Sequence, residues 1–178
     1  MKANAARRTV LRTVLLVGEG YAEVAFIEHL KALYITRGCG IALTIKNARG
    51  KGALHVVEVA IRQSKNAAFD VKAALLDIDT GWNEATRNIA RKAKVQVVPC
   101  VPCLEAMLLA LHGEVQEAQS TAVYKQAFEK RFGSPANETA LYAKHFSKET
   151  LGKARVKSPE LDALLVLLTP TTNYSNRN

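Results

Sequence analysis

Two short stretches place acids where chemistry could use them: Val14-Leu15-Leu16-Val17-Gly18-Glu19-Gly20 and Ala74-Leu75-Leu76-Asp77-Ile78-Asp79. Each is an apolar run that ends abruptly in acid. Such runs read as strands buried on both faces of a parallel sheet. In open α/β sheets, ligands bind just beyond the carboxyl ends of the strands. Glu19, Asp77 and Asp79 would then line one edge of the sheet. Three carboxylates make a hard, oxygen-rich site suited to Mg²⁺, or Mn²⁺ in its place. Residues two apart in an extended segment point the same way, so Asp77 and Asp79 could share one cation. The competing account is an Asx-type turn before Gly81. Glu19, flanked by glycines that allow close approach to the backbone, also reads as an exposed turn residue. Glu23, one turn into the next helix, reads as complementing its dipole.

The elements that must position these residues alternate. A strand over Thr13–Val17 precedes a helix with an apolar stripe from Ala22 to Tyr34. A strand over Ile41–Ile45 follows, then a Gly- and base-containing loop over 47–52 with Arg49 and Lys51. A helix from Ala53 to about Gln63 presents Leu54, Val57 and Ile61 on one face. Strands at Val71–Leu76 and Val95–Val98 bracket a short polar helix at Asn83–Arg91. Leu104–Leu111 is a strongly apolar helix. Helices then continue over Val123–Phe132, Glu138–His145, Lys148–Ala154 and Pro159–Leu168. This order implies one domain of α/β class: a mainly parallel sheet of about four strands over residues 12–112, with helices on both faces. A helical extension occupies 113–168, and 169–178 reads as a frayed tail.

The chain has 25 Lys and Arg against 16 Asp and Glu, a formal net charge of +9. Such a balance favours an anionic partner, and nucleic acid is the natural one. Between Lys125 and Lys157, eight basic residues face three acids, with apolar residues interleaved. This pattern describes helices with one basic face, and Lys144, Lys148 and Lys153 are its candidate phosphate contacts. Arg49 and Lys51 could touch phosphates at the sheet edge. No apolar run reaches the length of a membrane span, and the basic start lacks the core of a signal peptide. Three cysteines agree with a reducing, cytoplasmic setting. Cys100-Val101-Pro102-Cys103 has the spacing of a redox pair or half a zinc site. No second pair completes the zinc site, and two small buried thiols also satisfy the pattern.

Glu19-Gly20-Tyr21-Ala22-Glu23 with Phe26 after it, Asp77-Ile78-Asp79, and Pro102-Cys103-Leu104-Glu105 leading into an apolar helix that ends at His112 occur in the order found in TOPRIM domains. The chain most resembles the RloB-like branch, related to the overcoming-lysogenization-defect nucleases, over about residues 12–112. Four positions depart from that pattern. Ala22 stands where the branch usually has Thr, Leu104 and Met107 stand where aromatics are common, and His112 is one residue out of step.

The resemblance implies a Mg²⁺-dependent nuclease acting on nucleic acid, DNA ahead of RNA, in a phage-defence or restriction-linked system. A partner protein encoded nearby is part of that expectation. Glu19 would act as metal ligand or acid/base, Asp77 and Asp79 as metal ligands, and Glu105 as a ligand or its support. A late lysine would stabilise charge. Taken alone, Glu105 is a first-turn helix acid, and His112 a residue at a helix C-terminus. Two other functions fit the residues. One is a nucleic-acid-binding or partner subunit with a degenerate site. The other is a phosphatase resembling haloacid dehalogenases, whose nucleophile loop Asp77-Ile78-Asp79-Thr80-Gly81 approximates.

Overall fold

The computed structural model describes residues 10–78, 81–114 and 119–170. Four strands, β1 (Arg12–Gly18), β2 (Ile41–Asn47), β3 (Val71–Asp77) and β4 (Val95–Cys100), form one sheet in the order β2-β1-β3-β4. All three pairings are parallel. Helices α1 (Tyr21–Tyr34), α2 (Ala53–Asn66) and α3 (Glu84–Lys92) make the crossovers. A helical part follows: α4 (Leu104–Leu111), α5 (Thr121–Phe132), α6 (Thr139–His145), α7 (Lys148–Arg155) and α8 (Pro159–Leu168). The α/β class, the four parallel strands and the C-terminal helices match the sequence expectation. No helix among the described residues is long and apolar enough to cross a membrane.

Strand side chains alternate between two hydrophobic layers. Leu16, Ala73, Leu75, Val98 and Cys100 pack with α1, α4, α8 and the aromatic residues of α5 and α6. Leu15, Val17, Ala74, Leu76 and Val95 pack with α2 and α3. Central β1 and β3 are buried on both sides, which accounts for their unbroken apolar runs. Pro99 is tolerated in β4 because that strand lies at the sheet edge.

Each strand extends one or two residues past its sequence-read end, so Gly18 and Asp77 are the last ladder positions of their strands. The buried face of α2 also differs from the expected one. Leu54 is 41% exposed, while Ala53, Val56, Val57 and Ala60 are buried. The small side chains at Ala53 and Ala60 let this face sit close to the sheet, and Leu54 falls to its flank.

Strand order determines where a site can form. The chain leaves β1 for β2 on one side, then returns across to β3 and continues to β4. Helix α1 covers one face, whereas α2 and α3 cover the other. The reversal lies between β1 and β3, and open α/β sheets place their ligand crevice at such a switch point, beyond the carboxyl ends of the strands.

Candidate functional site

Glu19 and Asp77 stand at that crevice, immediately after β1 and as the last residue of β3. The ladder continues into the site. The Glu19 N–H donates to the Leu75 carbonyl at 3.1 Å. The Glu19 carboxylate (Oε2) in turn accepts from the Asp77 N–H at 3.1 Å. Asp77 Oδ1 accepts from the Leu104 N–H at 2.9 Å. That N–H opens α4, whose N-cap residue Cys103 supplies no side-chain cap. Asp77 therefore satisfies one of the orphan donors of a helix start, and the bond orients its carboxyl group.

Glu23 enters the same crevice from α1. It is 5% exposed, and its Oε2 accepts from the Gly20 N–H at 2.7 Å. Its depth depends on Gly18. A Cβ on Gly18 would lie 2.9 Å from Glu23 Cβ and 3.1 Å from the Val24 nitrogen. The absent side chain lets α1 begin directly against the end of β1. Glu105, 6% exposed, approaches from the first turn of α4.

The electrostatics follow from burial and crowding. Burial above all, then the neighbouring Glu23, Glu105 and Glu19, pushes the Asp77 carboxyl up to about 8. Glu23 is raised to about 7, first by burial and then by Glu105 and Glu19, against the opposing pull of backbone N–H groups. Among the described residues, Glu23, Asp77 and Glu105 form no ion pair. Ionising these carboxyls side by side is therefore unfavourable, and a bound cation would relieve that repulsion. Oxygen donors of this kind suit a hard divalent ion, and Glu19 and Asp77 are the residues that could hold one. Among the described residues, no three His, Cys, Asp or Glu side chains stand ready as a metal-holding set. Asp79, the third ligand expected from the sequence, lies outside the described residues.

Cys100 and Cys103 are buried beside these acids and free of any disulfide. Burial raises the Cys100 thiol well above its usual range and the Cys103 thiol to about 12. Protonated, enclosed thiols are poor nucleophiles and poor ligands. His112, the C-cap of α4, sits edge-on to Phe132 and Phe146, with centroids 5.0 and 4.8 Å away. Seven residues of helix separate it from Glu105, about 10 Å of rise. Burial, then Arg131 and His145, lowers its pKa.

The basic candidates fall in two places. Arg49 and Lys51 are exposed in the β2–α2 loop. That loop is stitched to the acid edge: the Ala48 N–H donates to the Gly18 carbonyl at 2.9 Å, and the Gly50 N–H to the Glu19 carbonyl at 2.8 Å. Lys144, Lys148 and Lys153 are exposed on the C-terminal helices. Lys153 Nζ is held by Glu149 at 2.6 Å, and Lys148 Nζ lies 5.2 Å from the centre of the Tyr34 ring. A cavity of about 600 Å³ is lined by α4, α7 and the start of α8, including His112 and Lys153, and by none of the clustered acids.

Sequence reasoning underweighted Glu23 by reading it as a dipole partner. It does fill that position, but its burial puts its charge into the crevice. The available signal was its place as the second acid of Glu19-Gly20-Tyr21-Ala22-Glu23. Comparison of the chain with known protein families, with functionally characterised proteins and with solved structures found no match.

Proposed function

We propose that this protein is a TOPRIM-type, Mg²⁺-dependent nuclease of the RloB-like kind. It would act on nucleic acid, DNA ahead of RNA, within a phage-defence or restriction-linked system that includes a neighbouring protein partner. The observation that carries this reading is the gathering of Glu19, Glu23, Asp77 and Glu105 at the β1/β3 switch point. Glu23, Asp77 and Glu105 form no ion pair among the described residues, and Glu23 and Asp77 are raised by burial and by repulsion from neighbouring carboxylates. Mg²⁺ held there would supply a Lewis acid for the phosphate and would acidify a water. Glu19 serves as metal ligand or proton-transfer group, and Asp77 as a ligand already oriented by the Leu104 N–H. In this reading Asp79 would complete the ligand set, and Glu105 would support it from α4.

One observation favours a second reading, a binding or partner subunit with a degenerate site: the lack of a ready three-ligand set among the described residues. The phosphatase reading is weaker, because its nucleophile loop would follow the opening strand and here follows β3. The test is incubation of the purified protein with single- and double-stranded DNA and RNA, with Mg²⁺, Mn²⁺ or EDTA. Metal-dependent cleavage supports the nuclease. Its absence with every substrate, alone and with proteins encoded nearby, gives the binding reading precedence.

A further inference from the structure

A second polar region lies beside the acid crevice and carries the opposite charge. Lys46 at the end of β2, Arg49 and Lys51 in the following loop, and His55 and Arg62 on α2 line a groove of about 390 Å³. On α2, His55, Val59, Arg62 and Gln63 fall at positions i, i+4, i+7 and i+8, one face of the helix. Lys46, Arg49, Lys51 and Arg62 are all exposed. None of these four forms an ion pair among the described residues. His55 Nδ1 lies 3.9 Å from Glu58 Oε2. Four cations converging on one concavity without partners raise the local concentration of anions.

We infer that this groove seats the phosphodiester backbone of a single nucleic-acid strand and leads it to the crevice. The inference rests on the reading that the substrate is nucleic acid. From His55 to Arg62 the helix rises about 10 Å, and the groove therefore runs along a few phosphates at most. It is too small for a duplex and matches one backbone. Its direction follows from the stitching of the loop: Arg49 precedes Gly50, whose N–H bonds the Glu19 carbonyl. A phosphate on Arg49 has its neighbour at the acid edge. The lysines of α6 and α7 offer no such concavity next to the acids, and Lys153 is already engaged by Glu149.

The test measures fluorescence anisotropy of a labelled single-stranded oligonucleotide in EDTA, across a salt series. The variants are Lys46→Gln with Arg62→Gln, and Lys144→Gln with Lys148→Gln and Lys153→Gln. Each phosphate contact to a single strand contributes about 0.7 to the slope of log affinity against log salt. The groove double variant is expected to lose about 1.4 from that slope and to bind more weakly at every salt. The α6–α7 variant is expected to stay near wild type. An unchanged slope in the groove variant, with loss in the helical one, overturns the inference. Matching melting temperatures exclude unfolding as the cause of any loss. Groove-dependent binding by a wild-type protein that never cleaves sinks the nuclease reading alone. Cleavage and binding that survive the groove substitutions sink this inference alone.

Discussion

The crevice and the groove are neighbours built on one loop, yet they treat crowded charge in opposite ways. In the crevice, Glu23 and Glu105 are enclosed, so repulsion acts through protein and the Glu23 and Asp77 carboxyls respond by holding protons. In the groove, the cations face solvent, where water and salt screen their mutual repulsion. Buried crowding stores free energy that one small, dense cation can release. Exposed crowding stores little and instead attracts a long, diffuse polyanion. The contrast therefore separates a site for an ion from a track for a strand.

The most decisive way to break this contrast is to remove the acids. Asp77→Asn with Asp79→Asn is expected to reduce Mg²⁺- or Mn²⁺-dependent cleavage by more than about a hundredfold. Oligonucleotide binding in EDTA should be retained, because the groove is untouched. Gel-resolved cleavage beside anisotropy separates the two. Cleavage that persists in the double variant means these aspartates hold no catalytic metal.

The next effect is thermodynamic. Glu23 and Asp77 titrate near 7 and 8 in the fold, against ordinary values of 4.5 and 3.8. Below about pH 4 both are protonated, folded or unfolded, and cost nothing. As pH rises, the unfolded chain releases its protons first. Stability therefore falls across the window from about 4 to 8 and levels off above it, by a few kcal/mol in total. Urea denaturation in EDTA at pH 5 and pH 8 measures this loss, and Asp77→Asn should flatten it. Mn²⁺ should restore stability at pH 8 far more than at pH 5. Equal or greater apo stability at pH 8 would show that the crevice is not crowded in this way.

Backbone geometry gives a smaller handle on the same crevice. Gly18→Ala would drive a Cβ to 2.9 Å from Glu23 Cβ and 3.1 Å from the Val24 nitrogen, forcing α1 away from β1. A loss of about 1–3 kcal/mol is expected, with a weaker pH dependence as Glu23 moves outward. Gly20→Ala is the control. Its Cβ would meet only the Glu23 Oε2, at 3.2 Å, and its φ of −135° suits any residue. It should cost less, and a control that costs as much would dissociate the effect from α1 packing.

The parts of this arrangement legible in the sequence are those set by neighbours along the chain. The runs Val14–Val17 and Ala74–Leu76 announced buried strands, and the acids after them announced the edge. The boundaries of α4 and α8 were readable because Pro102 and Pro159 punctuate their starts. What escaped depends on distant contacts. Strand order sets β3 directly beside β1, which brings Asp77 next to Glu19. Glu23 is buried because Gly18 admits α1, a packing fact that no local pattern encodes. Leu54 looked like a core residue until Ala53 and Ala60 brought a different face of α2 to the sheet. Lys46 and Arg62 drew no attention because sixteen residues separate them. The parallel pairing of β2 with β1 and the return through α2 make them one groove.

Arg49 is where the two regions meet and where their demands conflict. Its φ of +63° lies in the left-handed region, which costs a residue with a Cβ about 1 kcal/mol. Glycines at 50 and 52 also take positive φ in this loop, yet position 49 carries an arginine. The Asn47 Oδ1 accepts the Arg49 N–H at 2.7 Å and offsets part of the cost. The Arg49 side chain is exposed and makes no ion pair among the described residues, so no salt bridge there offsets the rest. Arg49→Asn substitutes a residue that tolerates this conformation without adding freedom to the unfolded chain. Stability should rise by about 0.5 kcal/mol in urea denaturation, while the salt slope for single-stranded oligonucleotide falls by about 0.7. Gain in one and loss in the other would mark Arg49 as kept for its charge at the expense of the fold. A variant that loses stability would show that the guanidinium supports the loop. A variant that binds as before would remove Arg49 from the track and leave the groove to Lys46, Lys51 and Arg62.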